Sequence, residues 1–163
     1  MGMTEIETPR LTLVLETLEE TRARIDAMAQ ADRVDLSAEW LSLLAAATHA
    51  DPWILGFNML RRDDGAIVGQ CGFKGPPNAD GMVEIADFVQ PDCRGNGYAT
   101  EAAEALTSHA FSHDHVQLVR AHTLPEPNAS TRVLTKAGFR KVGEVIDPED
   151  GPVWRWERPM ETA

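Results

Sequence analysis

The stretch from Met82 to Phe111 constrains the fold of this chain more than any other. Met82 to Val89 reads as a strand, Gln90 to Gly97 interrupts it with Pro91, Arg94, Gly95 and Gly97, and Tyr98 to Phe111 reads as a helix. In that helix Ala99, Ala102, Ala103, Leu106 and Ala110 share one face, and small residues there let a helix lie close on a sheet. A strand that passes through glycines into such a helix fits a mixed α/β order. The loop has chemistry of its own. Glycines let the backbone approach an anion, and the free N–H groups of a helix's first turn point outward with the positive end of the dipole behind them. Arg94 adds a charge that reaches phosphate. A tight turn that needs glycine is the bland alternative.

The remaining elements extend a mixed sheet. Leu11, Leu13 and Leu15 with Thr12 and Val14 predict a first strand after Pro9. Thr17 is placed to cap a helix, with Glu20 three residues on completing a capping box and Leu18, Ile25 and Met28 forming a stripe. A second helix is predicted from Ser37, carried by Trp40, Leu41, Leu44 and Ala47. Trp53 to Arg61 and Ala66 to Lys74 form a hairpin about Asp63-Asp64-Gly65, and Met82 to Val89 follows after the break at Gly75 to Asn78, so three antiparallel strands are expected. Val116 to Thr123 is a strand, Ser130 to Ala137 a helix closed by Gly138, and Phe139 to Ile146 and Val153 to Glu157 two final strands. The expected fold is single-domain α/β, a mostly antiparallel mixed sheet flanked by helices, over residues 8–160 with terminal tails at 1–7 and 161–163.

Charge narrows the partners. The 163 residues carry 15 Lys and Arg against 26 Asp and Glu, a net charge of −11. With no clustered basic patch, such a surface repels a polyanion, and nucleic acid is not an expected partner. Cys71 and Cys93 supply neither a disulfide framework nor a zinc site, and the apolar stretches fall short of a membrane span. A soluble, cytoplasmic chain with reduced thiols is expected, with no membrane partner and no metal.

Arg94-Gly95-Asn96-Gly97-Tyr98-Ala99 resembles the R-G-x-G-x-A signature of the GNAT superfamily of N-acetyltransferases. Val83 to Val89 is similar to that family's signature strand, and Asn128 to Phe139 to its later helix motif. Within the superfamily the chain looks most like the RimJ/RimL-type branch of ribosomal-protein alanine N-acetyltransferases. The resemblance implies a GNAT fold whose signature strand splays from the next, here Val116 to Thr123, so that unpaired backbone groups hold the pantetheine arm of acetyl-coenzyme A. It implies main-chain contacts from Asp87, Phe88 and Val89, a pyrophosphate site at Arg94, Gly95, Asn96, Gly97, Tyr98 and Ala99, and a pantetheine or helix-start bond from Asn128. The implied reaction is acetyl transfer from acetyl-coenzyme A to a primary amine, a protein N-terminus or a small molecule, by direct attack in a ternary complex.

Acetyl transfer needs a neutral amine, donors for the developing oxyanion and an acid for the thiolate. Many relatives use a helix Tyr as the acid. The one tyrosine here, Tyr98, is in the phosphate loop. In the RimL-like branch a Ser is the proposed acid, and Ser130, eight residues before Gly138, matches it; a helix cap is the alternative. Three residues are candidate bases. His122 sits at the end of the splayed strand, Glu149 lies ten residues after Phe139, and Glu84 is on the signature strand and acts through water in that reading. Ranked by rearrangement needed, His122 stands first. The missing helix Tyr supports a rival reading, a non-catalytic acyl-coenzyme A binding module.

Other features weigh less. His109, His113 and His115 cluster at helical spacing without a metal-site signature, and Cys93 beside Arg94 lacks a partner for nucleophilic work. Trp154 and Trp156 pack the core or, alternatively, a homodimer contact.

Overall fold

The computed structural model describes residues 5–33, 38–148 and 150–160. Within them the strands are β1 (Glu5–Glu7), β2 (Leu11–Leu15), β3 (Phe57–Arg61), β4 (Ile67–Phe73), β5 (Met82–Val89), β6 (Leu118–Thr123), β7 (Arg140–Asp147) and β8 (Gly151–Pro159). The helices are α1 (Leu18–Ala27), α2 (Gln30–Arg33), α3 (Ala38–Ala46), α4 (Tyr98–Phe111) and α5 (Ala129–Lys136). The strands form one sheet in the order β1-β2-β3-β4-β5-β6-β8-β7, antiparallel throughout except between β5 and β6. This is the expected α/β single-sheet architecture. Among the described residues no helix is long and apolar enough to cross a membrane.

Local signals built most of it. Thr17 caps α1, its hydroxyl accepting from the Glu20 N–H at 3.0 Å while the Glu20 carboxylate accepts from the Thr17 N–H at 3.0 Å. Leu11, Leu13 and Leu15 alternate inward from β2 and are buried. α4 runs over the predicted residues, buries Ala102, Ala103, Leu106 and Ala110, and packs chiefly on β5. Gly138, at φ +89°, ends α5 in a conformation that would crowd a Cβ, and the Phe139 N–H reaches back to Leu134 O at 2.9 Å.

Several strand ends shift by one or two residues, and four boundaries differ for a reason the hydrogen bonds show. Residues 5–7 are not a tail: they pair with β2, Ile6 opposite Leu13. Trp53 to Leu55 is a turn rather than the start of a strand, because Asp51 captures its N–H groups, Oδ1 taking Trp53 at 2.9 Å and the carbonyl taking Ile54 and Leu55 at 2.9 and 2.8 Å. β6 starts at Leu118, the Val116 N–H being spent on His113 O at 3.1 Å. α5 begins one residue early because its cap is Asn128, not Ser130. The Asn128 side chain accepts from the Thr131 N–H at 3.0 Å and its own N–H donates to Thr131 Oγ1 at 3.0 Å. Ser37, the expected start of α3, and residues 161–163 lie outside the described residues.

Candidate active site

β5 and β6 pair for only three residues, from Met82 opposite Leu118 to Glu84 opposite Arg120. Beyond that point β5 continues with β4 as far as Val89, and β6 continues with β8 as far as Thr123, so the two strands part in the middle of the sheet. The ladder on the other side of β5 decides which backbone groups face the gap. Lys74 donates to Glu84 O and Gln90 to Val68 O, both at 2.8 Å, so the even-numbered residues of β5 are bonded to β4. The C=O of Ile85, both backbone groups of Asp87 and the N–H of Val89 therefore turn toward the gap. Buried backbone groups need partners, and such a gap accepts an amide-bearing chain as a further strand. Phe88 departs from the expected main-chain role, since its backbone faces β4. It offers instead a half-exposed ring, with the Arg94 guanidinium 5.7 Å from its centroid.

At the end of the gap lies the glycine loop. Gly95 and Gly97 hold φ of +82° and +83°, and Gly97 caps α4 without any side-chain hydrogen bond. The first-turn N–H groups of a 14-residue helix are thus left for an anion. Arg94 donates Nε–H to Val89 O at 3.1 Å and is exposed, which ties the loop to the end of β5. Asn96 folds back, its amide donating to Cys93 O at 2.9 Å. Tyr98 is buried, with the Arg10 guanidinium 5.0 Å from its ring centroid. The side chains of Asn96 and Tyr98 accordingly shape the loop.

Arg10 and Glu101 brace this loop. Glu101 Oε1 accepts from Thr8 Oγ1 at 2.7 Å and from the Arg10 N–H at 3.0 Å, and Oε2 forms an ion pair with Arg10 Nε. Burial works against the charge on Glu101, but the hydrogen bonds from Thr8 and Arg10 prevail and hold its carboxyl below the usual range. A bare carboxylate in the first turn of α4 would repel phosphate, and Arg10 neutralises it. No local pattern marks this pair, whose members stand 91 residues apart.

On one face of the sheet a polar row runs from Lys74, just past the end of β4, across β5 and β6 to β8. Lys74 Nζ lies 3.3 Å from Glu84 Oε2, and Glu84 Oε2 lies 2.8 Å from His122 Nδ1. His122 Nε2 in turn accepts from Arg155 Nε at 3.1 Å. Arg155 and Glu84 thus engage both ring nitrogens, which leaves neither free for a substrate. Glu84, but not His122, lines a cleft of about 620 Å³ that opens beside the gap, together with Trp40, Ile54, Phe73, Lys74 and Asp87. Asp87 is exposed along the strand, yet desolvation of its carboxyl pushes its pKa up to about 6. Beside it, burial and the Asp87 charge push the Cys71 thiol well up, so Cys71 is inert packing.

The other expected residues are more scattered. Ser130 is exposed in the first turn of α5, without the capping role, and neither it nor Asn128 lines the cleft. Asn128 commits its side-chain oxygen to the helix start. Glu149 lies outside the described residues. His109 and His113 lie against Trp53 with their rings tilted to it, and among the described residues no cluster of three metal-ligating side chains occurs. Trp156 is buried, its indole N–H donating to Thr123 Oγ1 at 3.0 Å, and Trp154 carries Lys141 Nζ 3.4 Å above its ring.

Comparison with known proteins adds the lineage of this site. The acetyltransferase (GNAT) domain family matches residues 7–140. The chain is 35% identical over 89 residues to the uncharacterized N-acetyltransferase YjdG of Bacillus subtilis (strain 168). That match covers 55% of this chain and 51% of the relative, so the chain spans about half the length of the curated relatives it matches. Among solved structures, a GNAT-family acetyltransferase from Bacillus anthracis superposes with a TM-score of 0.67 at 18% identity, over 95% of this chain and 98% of that one. The aminoglycoside acetyltransferase AAC(6')-Ib in complex with coenzyme A and kanamycin superposes with a TM-score of 0.66 at 20% identity, over 91% and 94%. At these identities the structural likeness fixes the fold.

Proposed function

The chain belongs to the acetyltransferase (GNAT) domain family, and from that premise we propose that it transfers an acetyl group from acetyl-coenzyme A to a primary amine by direct attack in a ternary complex. The observation that carries the reading is the parting of β5 and β6 after Glu84, which leads from the uncapped start of α4 to the acidic cleft. Acetyl-coenzyme A supplies the activated acyl group. The donor's arm fits the gap because Asp87 and Val89 offer backbone groups there, and its phosphates fit Gly95, Gly97, Arg94 and the first-turn N–H groups of α4.

Within the cleft Glu84 is the group we assign to the amine proton, directly or through one water, with His122, Arg155 and Lys74 holding it in place. This moves His122 from base to positioning residue, because both of its nitrogens are engaged. Ser130 is assigned to the departing thiolate, with its hydroxyl left over once Asn128 has capped α5. Placement in the RimJ/RimL-type branch is part of the proposal and rests on Asn128 to Phe139 and the 94–99 loop. The domain as proposed spans residues 8–160 with β1 added in front.

The test is thiol release from acetyl-coenzyme A across a panel of amines and peptide N-termini, beside a calorimetric titration of the donor. Amine-dependent release supports the reading. Donor binding with no release for any acceptor would favour the binding module, which the burial of the lone Tyr98 otherwise supports.

A further inference from the structure

The cleft beside the gap is a site by its shape, its apolar walls and its place at the parting of β5 and β6; its charge decides what enters it. Trp40, Ile54 and Phe73 supply an apolar lining, and Trp40 is fixed there by its indole N–H donating to Ile54 O at 2.7 Å. Among the described residues the lining also holds five carboxylates, Glu39, Glu84, Asp87, Asp147 and Asp150, against two cations, Arg24 and Lys74. Both cations already bond carboxylates. Arg24 grips the buried Glu16 through Nη2 at 2.8 Å and Nε at 3.2 Å, and Lys74 lies 3.3 Å from Glu84. The acids come from α3, from β5 and from the β7–β8 turn, so the negative potential surrounds the cleft instead of belonging to one helix end or loop. Low-dielectric walls focus such a field.

We propose that the acceptor is a di- or oligoamine, a primary amine that carries at least one further positive charge on an apolar spacer; this rests on the reading of the cleft as the acceptor site. An alkyl spacer suits Trp40, Ile54 and Phe73, and a distal ammonium suits Glu39 on α3 and Asp147 and Asp150 at the turn. The same field disfavours free amino acids, whose carboxylate would enter against it. The reacting nitrogen gives up a proton toward Glu84 and forms the new N–C bond as the C–S bond of the thioester breaks. The distal ammonium stays charged throughout.

The experiment compares thiol release with diaminobutane, spermidine and butylamine at low and high salt, for the wild type and the Glu39→Gln/Asp150→Asn double variant. The two polycations are expected to exceed butylamine in kcat/KM by about tenfold or more at low salt, with the gap narrowing at high salt as the cleft's field is screened. In the double variant that preference should collapse toward unity. Equal or better use of butylamine, or a preference insensitive to both salt and the double variant, overturns the proposal. If no amine is acetylated, calorimetry with spermidine in the presence of coenzyme A decides separately. Spermidine binding that the double variant loses upholds the ligand class while the transfer reading fails, and no binding refutes the ligand class.

Discussion

His122 Nδ1 stands 2.8 Å from Glu84 Oε2, just past the last pair that β5 and β6 share, Glu84 opposite Arg120. Because Arg155 Nε donates to the other imidazole nitrogen at 3.1 Å, the histidine is a rigid spacer between a guanidinium and a carboxylate. Glu84→Gln is therefore expected to lower kcat about 10²- to 10⁴-fold. His122→Gln should cost less, since it leaves the carboxylate in place. Steady-state rates of the two variants with one acceptor check this, and a larger loss of kcat in His122→Gln than in Glu84→Gln would return the role to the histidine.

Arg10 and Glu101 should behave as a coupled pair. Arg10→Ala leaves a carboxylate in the first turn of α4, and the KM for acetyl-coenzyme A should rise several-fold; adding Glu101→Gln should recover most of the loss. A double-mutant cycle on stability should give a coupling of about 1 kcal/mol, modest because Arg10 is half exposed.

Much of this site is legible in sequence where the causes are local. The 94–99 loop, the Thr17 and Glu20 capping box and the full extent of α4 follow from residues within a few positions of each other. Glu84 and His122 are nameable as candidates because they lie on recognisable strands. Their ranking is not, because it depends on Arg155, which reaches His122 from β8, 33 residues on. Arg10 escaped for the same reason, and Asn128 took the cap from Ser130, two positions on, because its side chain and that of Thr131 close a reciprocal pair of hydrogen bonds.

Gly97 answers to two demands at once. Its φ is +83°, and a Cβ there would stand 2.9 Å from Arg10 Nη2. Gly97→Val should weaken acetyl-coenzyme A binding at least tenfold and destabilise the fold by about 1–2 kcal/mol. Unchanged donor affinity in a folded variant, measured by calorimetry, would remove the phosphate site from this loop.

Ser130 and Asn128 separate by what each change moves. Ser130→Ala should reduce kcat by about ten- to a thousandfold with an unchanged melting temperature, since it does not cap α5. Asn128→Ala should lower stability by about 1 kcal/mol. A melting loss on Ser130→Ala with kcat intact would assign that hydroxyl to structure.

Asp87 gives stability a distinctive pH dependence. With its pKa pushed up to about 6, the folded chain still holds this proton at pH values where the unfolded chain has released it. Stability attributable to Asp87 is thus greatest at low pH and falls as pH rises from about 4 to about 6. Solvent access to the strand edge limits the effect to about 1 kcal/mol. Denaturant melts of wild type and Asp87→Asn across this window should converge at low pH and separate above it, with the Asn variant the more stable.

If the gap between β5 and β6 delivers an acetyl group to an amine in the cleft, coenzyme A thiol released must equal acetylated amine formed. With wild type, amine-dependent release matched one for one by acetylated product is expected, and Glu84→Gln should lose nearly all of it. Release that ignores the amine, or equal product from the Glu84 variant, would overturn the assignment.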